Sequence, residues 1–415
     1  MTHFGIITPP VSGHINPFSA LGRELRSRGH QVTVFHMADL ESKVRSEEID
    51  FWPIGQSDHP LGSLPQSIEQ LGQLQGLAAL RFTIRAIART SAMMCRDGPA
   101  AIRAARVGAL LVDQMEPAGS AVAGHLGLPF VTVCNALAIN RDSVAPPPFS
   151  PWAYRDTWWA PLRNRLGYGV SDWLTRSVTS AVAEYRQKWK LPVHGSADES
   201  FSSLAQICQM PRELDFPRRD LPSCFEYVGP LRRTGRNPVP FPWERLDGRP
   251  VVYASLGTLQ NSREPLFRCF AEACRGLNVQ LVLSHGGGLS AEQAATLPGN
   301  PVVVSYAPQL ELLAKAALTI THAGLNTVLD SLTNGVPVVT VPITYEQPAI
   351  AQRVDWTGSG RSISLFRLNG RRLKDVVSDV LQRPSYRQAA GRLGDAIRGA
   401  GGVTRAADIV QTALA

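Results

Sequence analysis

The chain has 415 residues, 44% of them hydrophobic, and a formal net charge of +8, which suits a globular protein with two domain cores rather than one. No window nears about eighteen uninterrupted apolar residues, and the first residues enter a strand pattern with no basic, cleavable leader, so neither a membrane span nor a secretory signal is expected. Six cysteines stand apart, at 95, 134, 208, 224, 269 and 274, without a C-x-x-C pair, the usage of a reduced, cytoplasmic chain.

Taken in chain order, "FGIIT" (4–8) is short, apolar and β-prone, and from Phe18 the apolar residues Phe18, Leu21 and Leu25 recur at helical spacing. Asn16 suits the helix N-cap, Pro17 the first turn and Gly29 the left-handed stop. "QVTVFH" is the next strand. The chain thus opens β-loop-α-β, with His14 in the first loop. In an open parallel sheet such a loop lies at the carboxyl ends of the strands, where ligands bind. A polar loop residue bonding a neighbouring backbone is the equal alternative for His14 on this stretch alone.

Arg81, Arg85 and Arg89 share one expected helix, and "VGALLVD" (107–113) and "LPFVTVC" (128–134) read as buried parallel strands. Residues 152 to 190 hold five tryptophans, at 152, 158, 159, 173 and 189, among arginines and lysines. They read either as a helical arm with packing tryptophans or as an amphipathic surface for a membrane or a large lipophilic molecule. Residues 231–249 are proline-rich and aperiodic, an extended linker between a first domain (1–230) and a second (250–400). Strand and helix patterns then alternate again, and "RAADIVQTALA" closes the chain as a short helix (within 401–415), expected to pack back on the first domain. The basic residues, Arg232, Arg233 and Arg236 among them, are spread out. No nucleic-acid motif is visible, so no nucleic-acid partner is expected. "HGGGLS" (285–290) is a flexible loop, lacking the glycine spacing of a dinucleotide fingerprint. There is no H-E-x-x-H, no metal-like histidine cluster and no Asp-x-Asp pair, so no bound metal is expected.

The densest signal is "YAPQLELLAKAALTITHAGLNTVLDSLTNGVPVVTVPITYEQ", 306 to 347. "LTIT" is a strand, and "HAG" turns into a helix whose core stripe is Leu325, Val328, Leu329 and Leu332. Gly324 allows a tight turn and close approach. The helix start presents free N–H groups, a positive dipole end, His322 and the Thr327 hydroxyl to one point, which is an anion site suited to a diphosphate. A helix end supplies only about half a charge. A second Ser/Gly/Thr turn, "SLGT" (255–258), could add donors.

This stretch resembles the nucleotide-sugar signature of family 1 glycosyltransferases, matching without a gap from His322 to Gln347. "SGHINP", "LLVDQMEPAG" and "SLGT" extend the likeness along the chain, and the first half is similar to bacterial carotenoid-type members. The resemblance implies an α/β fold of the GT-B type, two facing Rossmann-like doubly wound domains with a cleft between them. It implies an inverting, metal-independent transferase moving a sugar, glucose first, from a UDP-sugar such as UDP-glucose to a hydroxyl of a lipophilic small molecule. By position it assigns Tyr306 and Ala307 to the uracil, and Gln309 and Asp330 to the ribose. His322, Gly324, Asn326, Thr327, Ser255, Gly257 and Thr258 go to the diphosphate with Gly13 close by, and Glu346 and Gln347 to the sugar. His14 would be the general base and Asp113 its orienting carboxylate. The plant pattern has Trp at 306, Trp at 325, Glu at 330 and Asp at 346, so donor-sugar identity is the weakest part of the carry-over. A nucleotide-sugar 2-epimerase and a non-catalytic donor-binding protein are the alternatives. The cytoplasmic enzyme would touch the membrane peripherally if its acceptor is carotenoid-like. Oligomeric state is left open.

Overall fold

The computed structural model describes residues 1–74, 76–232, 239–257 and 263–414. The short apolar runs form strands that gather into two sheets. The first holds β1 (His3–Ile7), β2 (Gln31–His36), β3 (Asp50–Pro53), β4 (Ala109–Asp113), β5 (Phe130–Cys134), β6 (Gln206–Cys208) and β7 (Phe225–Tyr227), in the order β3-β2-β1-β4-β5-β6-β7. The second holds β8 (Val251–Ser255), β9 (Gln280–Ser284), β10 (Val302–Val304), β11 (Ala316–Thr321), β12 (Val338–Thr340) and β13 (Gly360–Ser362), in the order β10-β9-β8-β11-β12-β13. Every pairing is parallel. Each sheet grows to one side of its first strand, then returns and grows to the other. Both are therefore doubly wound, with the order reversing between β1 and β4 and between β8 and β11. Crevices for ligands open at the carboxyl ends of those strands.

Each sheet is buried on both faces, which explains its continuous apolar runs. Ile6, Leu111 and Val133 belong to one core that also takes in Ala406, Ala407 and Val410 of the C-terminal helix Gly402–Ala413. That helix lies on the Ser12–Ser27 helix, tied by Arg28 to Asp408 at 2.6 Å. A further apolar cluster is shared between the halves, joining Cys134, Leu137 and Met210 to Leu325, Val328 and Leu329. Beside it Arg353, fully buried in the Gln347–Thr357 helix, reaches Asp215 of the first half at 2.7 Å and covers the Phe216 ring at 4.2 Å. Asp215 also takes Arg218 at 2.7 Å and the Tyr227 hydroxyl at 2.8 Å. These cations hold its carboxyl well below the usual carboxylate range against the opposing effect of burial.

Two local expectations change, and one that was open between two readings takes shape. The first helix begins at Ser12 with Val11 as its extended N-cap residue, so His14 lies in the first helical turn and Asn16 is not the cap. Pro17 is tolerated inside the helix because its missing N–H would have served only the Gly13 carbonyl. That carbonyl instead accepts from Asn326 Nδ2 of the other half, at 3.0 Å. In the linker, Phe241 is buried in the second core with Trp243 edge-on at 4.7 Å, while residues 233–238, with Arg233 and Arg236, lie outside the described residues. The 152–190 segment is mostly one helix, Ala160–Lys188. Trp189 stacks on His125 at 4.3 Å and Trp152 is half-buried, so two of the five tryptophans pack. Among the described residues no helix is long and apolar enough to cross a membrane.

Candidate active site

β1 and β4 are neighbours at the reversal point of the first sheet. The turn after β1 leads into the helix that carries His14, and β4 ends on Asp113. Their side chains meet with His14 Nδ1 2.8 Å from Asp113 Oδ2. Asp113 is itself held from three sides. Asn135 Nδ2 donates to Oδ2 at 3.0 Å and the Thr8 hydroxyl donates at 3.4 Å, while the Met115 N–H donates to Oδ1 at 2.8 Å. With its side chain fully buried, this carboxylate keeps the His14 proton on Nδ1 and leaves Nε2 as the basic nitrogen. Burial alone would lower the His14 pKa. The charge and hydrogen bond of Asp113, with the charge of Glu346 adding, outweigh it, so the pKa rises above 6.5.

The second sheet repeats the geometry. Ser255 ends β8 in register with Thr321, the last residue of β11, and His322 follows. The His322 ring is wedged between two glycines: a Cβ on Gly257 would lie 2.9 Å from Cε1, and one on Gly324 2.7 Å from it. A side chain at either place would push the ring out of this position, and Gly257 also holds a φ of 70° that favours glycine. Burial pulls His322 down to about 4, so its imidazole is neutral and acts as an N–H donor or lone-pair acceptor. The Leu325–Thr333 helix starts at Gly324 with no side-chain cap, leaving first-turn N–H groups to be satisfied by something else. Thr327 is nearly buried on this turn. Thr258, the last residue of "SLGT", lies outside the described residues.

Below that turn the polar residues are already linked. Gln309 Nε2 donates to Asp330 Oδ2 at 2.6 Å, and Arg232 Nε donates to Asp330 Oδ1 at 2.6 Å. Arg232 Nη2 reaches both the carbonyl and the side-chain oxygen of Asn326, each at 3.1 Å. The Asn326 side chain also takes Gln209 Nε2 at 3.2 Å and gives to Gly13, so it is committed to joining the halves. Its backbone N–H is the group it can turn toward an anion. Tyr306 is exposed, its hydroxyl 3.4 Å from the Gly286 carbonyl, which leaves an aromatic face open for a planar base beside Ala307.

The loop after β12 completes the cleft. Gln347 Oε1 accepts from the Ile343 and Thr344 N–H groups at 2.9 and 3.0 Å, and Tyr345 is held at a φ of 56°, so the loop is firmly shaped. Glu346 is the N-cap residue of the Gln347–Thr357 helix. Burial raises its pKa, and the proximity of His14 opposes the rise. The mutual effect of the two charges places Glu346 within electrostatic reach of His14. Thr8, Asn135, Gln209 and Arg232 were not singled out from sequence. Asn135 directly follows β5, at the carboxyl end of a strand beside β4, a position that was a usable signal. Arg232 lies in an aperiodic linker that gives none. Among the described residues no three His, Cys, Asp or Glu side chains converge as metal ligands.

Against known proteins, the model of the UDP-glucoronosyl and UDP-glucosyl transferase family matches residues 10–397. The zeaxanthin glucosyltransferase of Pantoea ananas is 36% identical, over 100% of this chain and 96% of its own. That of Pseudescherichia vulneris is 37% identical, over 100% and 98%. Among solved structures, the kitacinnamycin glycotransferase superposes with a TM-score of 0.77 at 23% identity, covering 100% of this chain and 99% of its own. The calicheamicin glycosyltransferase CalG4 gives 0.77 at 21%, covering 100% and 98%. These neighbours share the paired-sheet fold of the GT-B type, as the sequence resemblance implied.

Proposed function

We propose, from the premise that this chain belongs to the UDP-glucoronosyl and UDP-glucosyl transferase family, that it moves glucose from UDP-glucose to a hydroxyl of a carotenoid-like alcohol. The family makes it a UDP-sugar-dependent glycosyltransferase. Glucose and the lipophilic acceptor follow from its likeness to the two zeaxanthin glucosyltransferases. The observation that carries the chemistry is the 2.8 Å contact between His14 Nδ1 and the immobilised Asp113, opposite the glycine-flanked helix start.

In this reading His14 Nε2 takes the acceptor proton as the acceptor oxygen forms its bond to the anomeric carbon. The bond from that carbon to the UDP oxygen breaks in the same displacement, and the configuration inverts. Asp113 stabilises the imidazolium, and general-base help of this kind is typically worth about 10²–10⁴-fold. Diphosphate charge falls on the open turn at Gly324–Thr327, on His322 and Ser255, and on the adjacent Arg232 guanidinium. Tyr306 stacks on the uracil, Gln309 and Asp330 meet the ribose, and Glu346 and Gln347 meet the sugar hydroxyls. A 2-epimerase would need cleft carboxylates in place of the His14–Asp113 pair. The enzyme meets such an acceptor at a bilayer, so peripheral membrane contact belongs to this reading.

The test is incubation with UDP-glucose and a panel of xanthophylls and phenols, with free UDP and the product mass as readouts. UDP release with a hexose added to a xanthophyll is expected. Sugar isomerisation without a glycoside, or donor binding without turnover of any acceptor, would overturn it.

A further inference from the structure

We infer that the first half of the Ala160–Lys188 helix is the surface by which the enzyme seats on an anionic bilayer. Just before and along it, Trp158, Leu162, Leu166, Val170 and Trp173 are 90, 60, 64, 58 and 61% exposed. Their steps of four, four, four and three residues place them on one helical face. The opposite face holds Asn164, Tyr168, Val178 and Val182, all buried against the body of the first half. From Leu162 to Trp173 the stripe runs about 16 Å at ~1.5 Å per residue. Exposed apolar side chains in single file on one face mark a contact surface, unlike scattered ones.

Its charge selects the occupant. Arg163 flanks the stripe on one side and Arg165 and Arg176 on the other, by helical position. The Arg163 guanidinium lies 5.4 Å from the Trp159 ring and that of Arg176 lies 5.6 Å from the Trp173 ring. Two acids, Asp156 and Asp172, fall between 152 and 176, and Asp172 is already paired with Arg141 at 2.6 Å. A second copy seated on this face would set arginines against arginines. Lipid phosphates would neutralise them, while tryptophan rings suit the boundary between headgroup and acyl chain. The inference rests on the reading of the acceptor as lipid-soluble for its purpose, not for its observations.

Co-sedimentation with phosphatidylcholine vesicles, with and without phosphatidylglycerol, tests it directly. The wild-type chain is expected to bind the anionic vesicles at low salt and to release at high salt. A Trp158→Ser/Leu166→Ser/Trp173→Ser variant, with an unchanged thermal melt, is expected to lose at least tenfold in partitioning. Arg165→Glu/Arg176→Glu is expected to lose binding to anionic vesicles specifically. Turnover of a vesicle-dissolved xanthophyll should fall with binding, while turnover of a soluble phenol stays within twofold. Wild-type protein that ignores the vesicles, variants that bind as wild type, or a concentration-dependent dimer abolished by the serine substitutions would overturn the inference. Vesicle binding with no glycoside formed on any acceptor would sink the proposed reaction and leave the surface standing.

Discussion

A histidine is tuned as a base by its surroundings, and those of His14, the base proposed here, pull in two directions. Burial disfavours its charged form, while Asp113 and Glu346 favour it and win. As the proposed base, His14 works unprotonated, so kcat/KM is full above the raised pKa and falls as pH drops through it. An acid limb centred above 6.5 is expected from this direction of shift. Asp113→Asn removes the favouring charge and should move that limb to lower pH while slowing turnover. A limb that stays in place would show that Asp113 does not set the pKa. His14→Ala should slow turnover by about 10²-fold or more with UDP affinity unchanged, checked by calorimetric titration. Arg232 is a second case. It bonds the Asn326 carbonyl in the first turn of the Leu325–Thr333 helix and ion-pairs with Asp330 one turn further on, which brings a guanidinium beside the turn proposed for the diphosphate. A charge-assisted contact is worth about 1.5–3 kcal/mol. Arg232→Gln should therefore weaken UDP by about tenfold or more, and uridine, which depends on Arg232 only through Asp330, by less. Equal losses for both would make it a strut.

The two cleft elements differ in how readable they were. The Leu325–Thr333 helix was legible because its apolar stripe, its glycine and its histidine are contiguous. Local rules of turn and helix start suffice for it. The loop before Gln347 was placed by resemblance, and its shape depends on two backbone N–H groups folded onto one side-chain oxygen, which no periodicity announces. The first helix was misjudged by five residues at its start. Asn16 and Pro17 satisfy the rules for a helix start, yet the carbonyl that Pro17 leaves free is satisfied from 313 residues away. If Glu346 contacts the donor sugar, Glu346→Ala should weaken UDP-glucose far more than UDP, by about 1–3 kcal/mol for a stranded buried partner. Equal weakening of both ligands, read by competition titration, would remove Glu346 from the sugar.

The two halves work as a unit because their interface is a core in its own right. Arg353 anchors the helix that begins beside Glu346 to Asp215, and Arg218 extends the same cluster to the carbonyls of Ala138 and Asn140 in the loop after β5. Loops from both halves thus hang from one buried ionic knot. Removing the shared carboxylate strands two buried guanidinium groups, Arg353 and Arg218, so Asp215→Asn should destabilise the protein by about 3–5 kcal/mol. A drop in the melting midpoint checks this, and an unchanged midpoint would show that the knot is dispensable. Activity should persist in excess EDTA, because helix N–H groups, His322 and Arg232 are there to receive the leaving charge. Complete loss in EDTA, restored by a divalent cation, would contradict that account.

What the sequence by itself determined is whatever depends on contiguous residues. Strand and helix alternation, the break near the proline-rich linker, the glycine-flanked helix start and the family signature all lie in short windows whose physics is local. The tertiary structure decided what depends on distant chain segments meeting. Asp113 acquired its donors Thr8 and Asn135 from separate strand ends, and Arg232 reached Asp330 from the linker. The Ala160–Lys188 helix showed which of its tryptophans pack and which stand in solvent. Each of these outcomes is a matter of which face an element turns toward a neighbour. That is settled only when burial, hydrogen bonds and charge are satisfied together across the whole chain.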